Sequence, residues 1–350
     1  MTAQQIKSPK VTVIIPHWNG IEILEPCLRS LEATKYDHLE IVVVDNASSD
    51  DSVAFVHREF PNVKVIQNTE NLGFAGGCNV GLREVESDYY LVLNNDTTHD
   101  SDWISPLVEQ MEIDSSIAAV QPKIMSAQSP EVFDYAGGVG GLIDILAFPY
   151  ALGRIFTTTE KDDGYYDIPR DIFWASGTAL LIRGAALQDV GLFDEDFFAH
   201  MEEIDLCWRF HNAGWRVVNA PKSRIFHHSG WTLPPDRYQK KYLNHRNNLM
   251  MIIKNYPFAY LAAIFPARLV LEGVAFVFSA LIRDWKRMAA ITMAIGWNLF
   301  HPFLLIKKHK EAGKKRKPQA VAATLRRMYG GSIFFQYFIR GQKRARDIEV

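Results

Sequence analysis

Carboxylates placed where a strand should end are the groups in this chain best suited to chemistry. Asp45 closes the run Ile41-Val42-Val43-Val44-Asp45-Asn46, and Asp96 closes Leu91-Val92-Leu93-Asn94-Asn95-Asp96. An acid at the end of a buried strand can accept a hydrogen bond from a ligand or supply oxygen to a divalent cation. Further on, Glu202-Glu203-Ile204-Asp205 forms an acidic cluster, and His227-His228 follows Arg224-Ile225-Phe226. Neighbouring carboxylates raise one another's pKa, which suits one of them to accept a proton near neutral pH. A neutral imidazole is a ready metal ligand.

An alternation of strands and helices must position these groups. Val11-Thr12-Val13-Ile14-Ile15-Pro16 predicts a first strand, and Ile23, Leu24, Cys27, Leu28 and Leu31 then recur at helical spacing. The strand ending at Asp45 is followed by residues 48–60, with Val53, Phe55 and Val56 in helical register, and Ser48-Ser49-Asp50-Asp51 predicts its N-cap. Such βα units imply a mostly parallel sheet covered on both faces, with ligands beyond the C-terminal strand ends, where Pro16, Asp45 and Asp96 fall. The segment Asn71-Leu72-Gly73-Phe74-Ala75-Gly76-Gly77-Cys78-Asn79 would let backbone approach a ligand and present helix N–H groups to phosphate. Its glycine spacing is not the dinucleotide fingerprint, and alone it reads equally as a glycine-rich turn.

The chain has 350 residues and a net charge of −2, which excludes a generally basic, nucleic-acid-binding surface. Cys27, Cys78 and Cys207 lie far apart without metal spacing, as expected of reduced thiols in a cytoplasm. Residues 1–10 are polar, predict a disordered N-terminus and lack the apolar segment of a secretory signal. Gly137-Gly138-Val139-Gly140-Gly141 and the polar residues 157–167 predict mobile loops that serve as a lid.

Taken in order, Val13-Ile14-Ile15-Pro16-His17-Trp18-Asn19, Val43-Val44-Asp45-Asn46-Ala47-Ser48-Ser49-Asp50, the segment 71–79 and Leu93-Asn94-Asn95-Asp96 resemble the family 2 glycosyltransferases of GT-A fold. Trp174-Ala175-Ser176-Gly177-Thr178-Ala179, Gly191-Leu192-Phe193-Asp194-Glu195-Asp196-Phe197-Phe198 and Glu202-Glu203-Ile204-Asp205-Leu206-Cys207-Trp208-Arg209 resemble the rhamnosyltransferase-type members. The resemblance spans about residues 10–255. It implies an α/β GT-A catalytic domain over residues 11–255, with a nucleotide-binding half (11–125) and an acceptor-binding half (126–255). Asp45 would accept a hydrogen bond from a uracil or thymine ring or from the ribose, with Pro16, Trp18 and Asn19 lining that pocket. Asn71, Gly73, Gly76, Asn79, Asn94, Asn95 and Asp96 complete the expected nucleotide-sugar contacts.

The same resemblance makes Asp96 and His227 the ligands of an expected Mg²⁺ or Mn²⁺. Asn94 stands where family members often carry Asp, leaving one protein charge fewer. Glu203, where the family usually has the shorter Asp, is the expected base, with Glu202 beside it. Trp174, Ser176 and Gly177 are expected at the acceptor, and Asp194 and Glu195 in the loop that shapes it. The implied reaction is an inverting transfer, best L-rhamnose from dTDP-rhamnose, among dTDP- or UDP-linked sugars, to a polyprenyl-diphosphate-linked saccharide in cell-surface polysaccharide synthesis. Two alternatives stand beside it. One is a processive polysaccharide synthase, although its Gln-x-x-Arg-Trp motif is not found here. The other is a non-catalytic nucleotide-sugar-binding subunit, for which Asn94 and Glu203 are the only hints.

The last hundred residues change character. Residues 258–282 are apolar around Arg268 and Glu272, and residues 288–306 are apolar again after Arg283-Asp284-Trp285-Lys286-Arg287. Lys307-Lys308-His309-Lys310 and Lys314-Lys315-Arg316-Lys317 follow. Residues 256–350 therefore predict a helical membrane-associating region with a basic tail, lying in the interface on the cytoplasmic face of the cell membrane. The alternatives are a transmembrane hairpin and a helical pair packed on the catalytic domain or on a second copy, as in a homodimer. Arg268 and Glu272 are spaced to pair along one helix, and Pro266, Gly273, Gly296 and Pro302 are the expected kinks.

Overall fold

A computed structural model describes residues 8–228 and 237–348. The first part alternates as predicted: β1 (Val11–His17), α1 (Ile21–Glu32), β2 (Leu39–Asp45), α2 (Ser52–Glu59), β3 (Lys64–Gln67), α3 (Gly73–Glu84) and β4 (Tyr89–Leu93). These four strands run parallel in the order β3-β2-β1-β4. Val13 and Ile15 face α1 and α4 (Ile104–Ile113), whereas Ile14, Val42 and Val44 face α3 and its neighbours. Because successive side chains point to opposite faces, a strand buried on both sides reads as an unbroken apolar run.

The second part is mixed. β5 (Thr97–His99) and β6 (Ile117–Ser126) precede a separate antiparallel sheet of β7 (Gly141–Ile143), β8 (Pro149–Ala151), β9 (Arg154–Ile155) and β10 (Thr158–Thr159). β11 (Ala179–Arg183) then enters the main sheet antiparallel between β4 and β6, and leads to α5 (Gly184–Val190) and α6 (Glu202–Asn212). β12 (Arg216–His227) returns parallel to β6, with β5 antiparallel on its far side. The full order is β3-β2-β1-β4-β11-β6-β12-β5.

The structure corrects three expectations. The predicted disorder does not reach residues 8–10: Lys10 N donates to Asp88 Oδ2 at 2.7 Å and Tyr36 Oη to Pro9 O at 2.8 Å, while residues 1–7 lie outside the described residues. Nor is the glycine run a mobile lid. A Cβ on Gly141 would enter the Trp174 indole and one on Gly138 the Leu152 carbonyl, so these glycines let the small sheet pack closely. The polar stretch after it is held by Lys123, whose Nζ meets Asp162 at 2.5 Å and Asp167 at 2.6 Å.

The third correction concerns the C-terminal region. It follows α7 (Tyr238–Asn255), the last helix of the catalytic part, and holds α8 (Phe258–Leu281), α9 (Trp285–Phe300), α10 (Pro302–Lys315), α11 (Pro318–Arg326) and α12 (Ile333–Phe338). Much of the expected basic tail is docked. Lys308 is buried, Arg316 donates to Asn255 O at 3.0 Å, and Tyr329 pairs beside β7 through Asp144. Ala345 N donates to Glu160 Oε1 at 3.0 Å, so the chain end returns to the edge of the small sheet.

Among the described residues α8, of mean hydropathy 1.9, is the one helix long and apolar enough to cross a membrane. It runs unbroken through Pro266 and Gly273, whereas α9 and α10 bend by 74° at Pro302. Midway along α8, Arg268 pairs with Glu272 at 2.8 Å as expected, and Glu272 also meets His245 of α7 at 2.6 Å. That polar face lies on the catalytic domain. The opposite face and its neighbours leave Leu281 78%, Phe300 85% and Phe303 87% exposed.

Candidate active site

The sheet register brings the strand-end groups into one row. His17 pairs with Asp45 across β1 and β2, and His17 Nδ1 lies 2.9 Å from Asn95 Nδ2 at the end of β4. Both are buried, as is Asp45. Asp45 accepts the backbone N–H of Ser48 through both oxygens, at 3.3 and 3.2 Å, which turns the chain sharply after β2. Asn19, at φ 55°, donates its N–H to Ser48 Oγ at 2.8 Å, while its Oδ1 accepts Ser49 N at 2.8 Å. This side chain braces two loops rather than reaching for a ligand. Trp18 beside it stands 48% exposed, open to stack on a base. Asp51, the N-cap residue of α2, makes no side-chain cap; Asp50 instead accepts Ser52 N at 3.1 Å and Gly20 N at 2.7 Å.

Next in the row is the corner built on Asp96. His227, at the end of β12, sets Nε2 3.1 Å from Asp96 Oδ1 and Nδ1 2.8 Å from Asp134 Oδ1, all three groups being buried. Burial opposes charge on this imidazole, but its bonds to Asp134 and Asp96 outweigh that and raise its pKa to about 10. Cis ligands of an octahedral ion with bonds near 2.1 Å are separated by about 3 Å, so Asp96 and His227 fit a divalent cation, which would displace the imidazole proton on binding. They are two donors, and among the described residues no cluster of three side chains could hold a metal alone. A ligand's diphosphate would have to complete the shell. Asp134 went unnoticed in the sequence, where it follows no motif; it lies 93 positions from His227. A carboxylate on the far ring nitrogen fixes which nitrogen faces a metal.

The acids come to the same place by another route. Asn94 N donates to Thr178 O at 3.0 Å, fastening the entry of β11 to the end of β4. A Cβ on Gly177 would lie 3.9 Å from Glu203 Cβ and 3.0 Å from Phe74, so the glycine keeps the space beside the acid free of a side chain. Glu202 and Glu203 begin α6, and an outer oxygen of each is buried without a hydrogen bond among the described residues. Burial pushes Glu203 up to about 7; burial and then the Glu203 charge push Glu202 well above the usual carboxylate range. Both carboxyls of this interacting pair therefore hold a proton to higher pH than a free carboxylate does. Phe198, His200 and Met201, at φ 63°, 70° and 75°, make the strained approach to this pair.

Asp205 anchors the helix from below. It is fully buried between Arg209 at 2.9 Å and Lys254 at 2.8 Å, and accepts Asn255 Nδ2 at 2.7 Å. Lys254 also meets Asp194 at 2.7 Å, and Lys308 of α10 meets Asp194 at 2.6 Å and Asp196 at 2.5 Å. The loop that carries Asp194 and Glu195 is thus shaped by cations from α7 and α10.

Several predicted contacts serve the protein itself. Asn79 is buried, donates to Phe193 O at 2.9 Å and Glu195 Oε1 at 2.8 Å, and accepts Phe193 N at 3.1 Å; it positions the 193–195 loop. Gly73, at φ 70°, makes room for the Phe198 backbone, and Gly77 makes room for Asn46 and Pro16. A Cβ on Gly76 would meet only its own turn at Leu72. Ala75 N donates to Phe198 O at 3.1 Å and Gly73 N to exposed Asn71 at 2.9 Å, so two of the helix-start N–H groups are already engaged. Trp174 is 4% exposed with its indole N–H on Leu142 O at 2.8 Å. Ser176, 2% exposed, donates to Ala136 O at 2.5 Å. Both are core groups, and of the expected acceptor trio Gly177 alone borders the acids. The three cysteines are buried free thiols, and burial raises Cys27 and Cys207 to about 12.

The sequence matches two family models, Glycosyl transferase family 2 over residues 12–137 and Glycosyl transferase family group 2 over residues 89–307. It is 24% identical over 243 residues to the N-acetylglucosaminyl-diphospho-decaprenol L-rhamnosyltransferase of Mycobacterium tuberculosis, covering 65% of this chain and 79% of that one. It is 25% identical to the poly-beta-1,6-N-acetyl-D-glucosamine synthase of Staphylococcus aureus, across 65% of this chain and half of the synthase. Among solved structures the fold is similar to GalNAc-T7, which was crystallised with UDP, GalNAc and Mn²⁺. The TM-score is 0.61 at 15% identity, over 84% of this chain and 58% of the other.

Proposed function

As the chain belongs to the family 2 glycosyltransferases, a GT-A enzyme with a matching sheet, we propose that it transfers one sugar, with inversion, from a nucleoside diphosphate to a lipid-linked saccharide. The observation that carries this reading is Glu203: a carboxylate with a buried, unpartnered oxygen, raised to about 7, beside Gly177. A base tuned to the working pH can take a proton and still be ionised before it acts.

The nucleotide lies along the row from Asp45 past His17 to Asn95, with Trp18 over its base. Burial holds His17 below the usual imidazole range, so it meets the ligand uncharged. Asp96 and His227 would hold Mg²⁺ or Mn²⁺, whose charge offsets that gathering on the departing diphosphate. The acceptor hydroxyl gives its proton to Glu203 while its oxygen bonds the anomeric carbon. The bond to the diphosphate oxygen breaks on the opposite face and its electron pair leaves with the nucleotide. Asn79, Lys254 and Lys308 hold the 193–198 loop against this centre.

L-rhamnose from dTDP-rhamnose is the donor we favour, and a polyprenyl-diphosphate-linked saccharide the acceptor, by likeness to the mycobacterial rhamnosyltransferase. The exposed apolar face of α8, α9 and α10 supports a seat in the membrane interface on the cytoplasmic side. A spanning α8 fits less well, because Arg268 and Glu272 at its middle bind α7 of the catalytic domain. Incubating purified protein with dTDP-rhamnose and a set of UDP-sugars, with lipid-linked acceptors and with or without Mn²⁺, tests the reading. Consumption of none of the donors under any condition would overturn it.

A further inference from the structure

Between α7, α8, α9 and α10 a cavity of about 240 Å³ opens among Leu249, Ile253, Phe265, Leu269, Ile295 and Leu305. Asn298 is its one polar lining residue among the described residues, and its Nδ2 donates to Arg246 O at 3.2 Å and Ala294 O at 2.9 Å. Protein interiors close such gaps, since every missing neighbour loses dispersion energy. An apolar slot left open invites a ligand of the same chemistry. Its rim is formed by Leu299, 65% exposed, and Ile306, 50% exposed, on the same outer face as Phe300 and Phe303.

The walls of this groove are also supports of the acceptor loop. Leu305 and Lys308 lie one turn apart on the same face of α10, and Lys308 holds Asp194 and Asp196. Arg246, whose carbonyl holds Asn298, donates to Asp196 O at 2.6 Å and Phe197 O at 3.0 Å, just before the acids. Farther along α10, Lys307, Lys310, Lys314 and Lys315 stay exposed, with Glu311 4.0 Å from Lys307 as the one acid among them, a net positive stretch beside an apolar slot. Hydrocarbon on one side and anion-attracting charge on the other describe a lipid whose chain ends in a diphosphate.

We infer that this groove holds the first isoprene units of an isoprenoid-linked acceptor, those next to its diphosphate, and thereby sets its saccharide against Glu203. The inference rests on the lipid-linked acceptor proposed above. Leu299→Trp and Ile306→Trp obstruct the mouth from exposed positions, and Phe303→Trp, outside the groove, is the control. Transfer is measured with one saccharide diphosphate carried on decaprenyl or on propyl, and binding of decaprenyl phosphate in micelles by native mass spectrometry.

Both obstructing variants should raise KM for the decaprenyl carrier at least fivefold and weaken decaprenyl phosphate binding as much. KM for the propyl carrier and for the nucleotide sugar should stay within twofold, as should all values for Phe303→Trp. Unchanged decaprenyl KM and binding in both variants would overturn the groove while leaving the reaction intact. Equal loss with both carriers, accompanied by weaker binding to anionic vesicles, would overturn it in favour of a plain membrane seat. Wild-type transfer to free saccharide alone would instead remove the lipid-linked acceptor, and the groove's role with it.

Discussion

Replacing Glu203 by Gln removes one ionisable oxygen and preserves shape, and its two consequences have opposite sign. A positioned general base contributes about 10²- to 10⁴-fold, so kcat should fall within that range while nucleotide binding persists. Stability should move the other way. The carboxyl's pKa is raised by burial from 4.5 to about 7, so the folded protein keeps its proton over a window in which the unfolded chain has lost it. The sign follows: this group's contribution is intact below about pH 4.5 and is lost as pH rises through about 7. At about 1.4 kcal/mol per unit the loss reaches at most about 3.5 kcal/mol above pH 7. Glu203→Gln should therefore melt higher than wild type at pH 8 and nearly level with it near pH 4.5. Glu202→Gln keeps the Glu203 carboxylate, so turnover should persist with an acid limb still present in the pH–rate profile. Transfer rates from pH 5.5 to 9 and melting curves at the two extremes measure both effects. Turnover surviving Glu203→Gln, or lost equally in Glu202→Gln, would refute the assignment of Glu203 as the base.

Asp134→Ala should weaken Mn²⁺ binding in the presence of a nucleoside diphosphate by about 10- to 100-fold, read by calorimetry, with Asp134→Asn nearer wild type because its Oδ1 can still accept from the imidazole. Lys308→Met leaves Asp194 paired with Lys254 alone; acceptor KM should rise while nucleotide affinity holds, and unchanged acceptor KM would show that α10 does not shape the loop. Gly73→Ala combines a left-handed backbone with a Cβ driven into Phe198, and should cost about 2 kcal/mol or more in chemical denaturation. Phe300→Glu with Phe303→Glu should abolish sedimentation with anionic vesicles while leaving dTDP binding intact.

The parallel half of the sheet was legible because its evidence is local. Val13, Ile14 and Ile15 announce a strand buried on both faces wherever the rest of the chain goes, and an acid that ends such a strand can be read off as a site residue. Asp45 and Asp96 stand at or just beyond such ends, and motif order added His227 and Glu203 as candidates; the structure sets His227 3.1 Å from Asp96. The pairing of Arg268 with Glu272 was equally local, four residues apart on one helix.

What tertiary structure decided was which polar groups remain available. Asn79, Trp174 and Ser176 carry the right chemistry, yet each has its polar atoms taken up by backbone brought from far along the chain. The glycines at 73 and 77 make room for Phe198 and Asn46, not for a ligand, and those at 138 and 141 close a sheet where composition suggested a lid. Asp134 has the reverse history. Nothing around it in the sequence marks it, and only the return of β12 alongside β6 sets it against His227. Residue types and spacing state what a side chain can do; whether it is still unpaired, buried and aimed at the substrate depends on contacts between segments dozens of residues apart, which local periodicity does not encode.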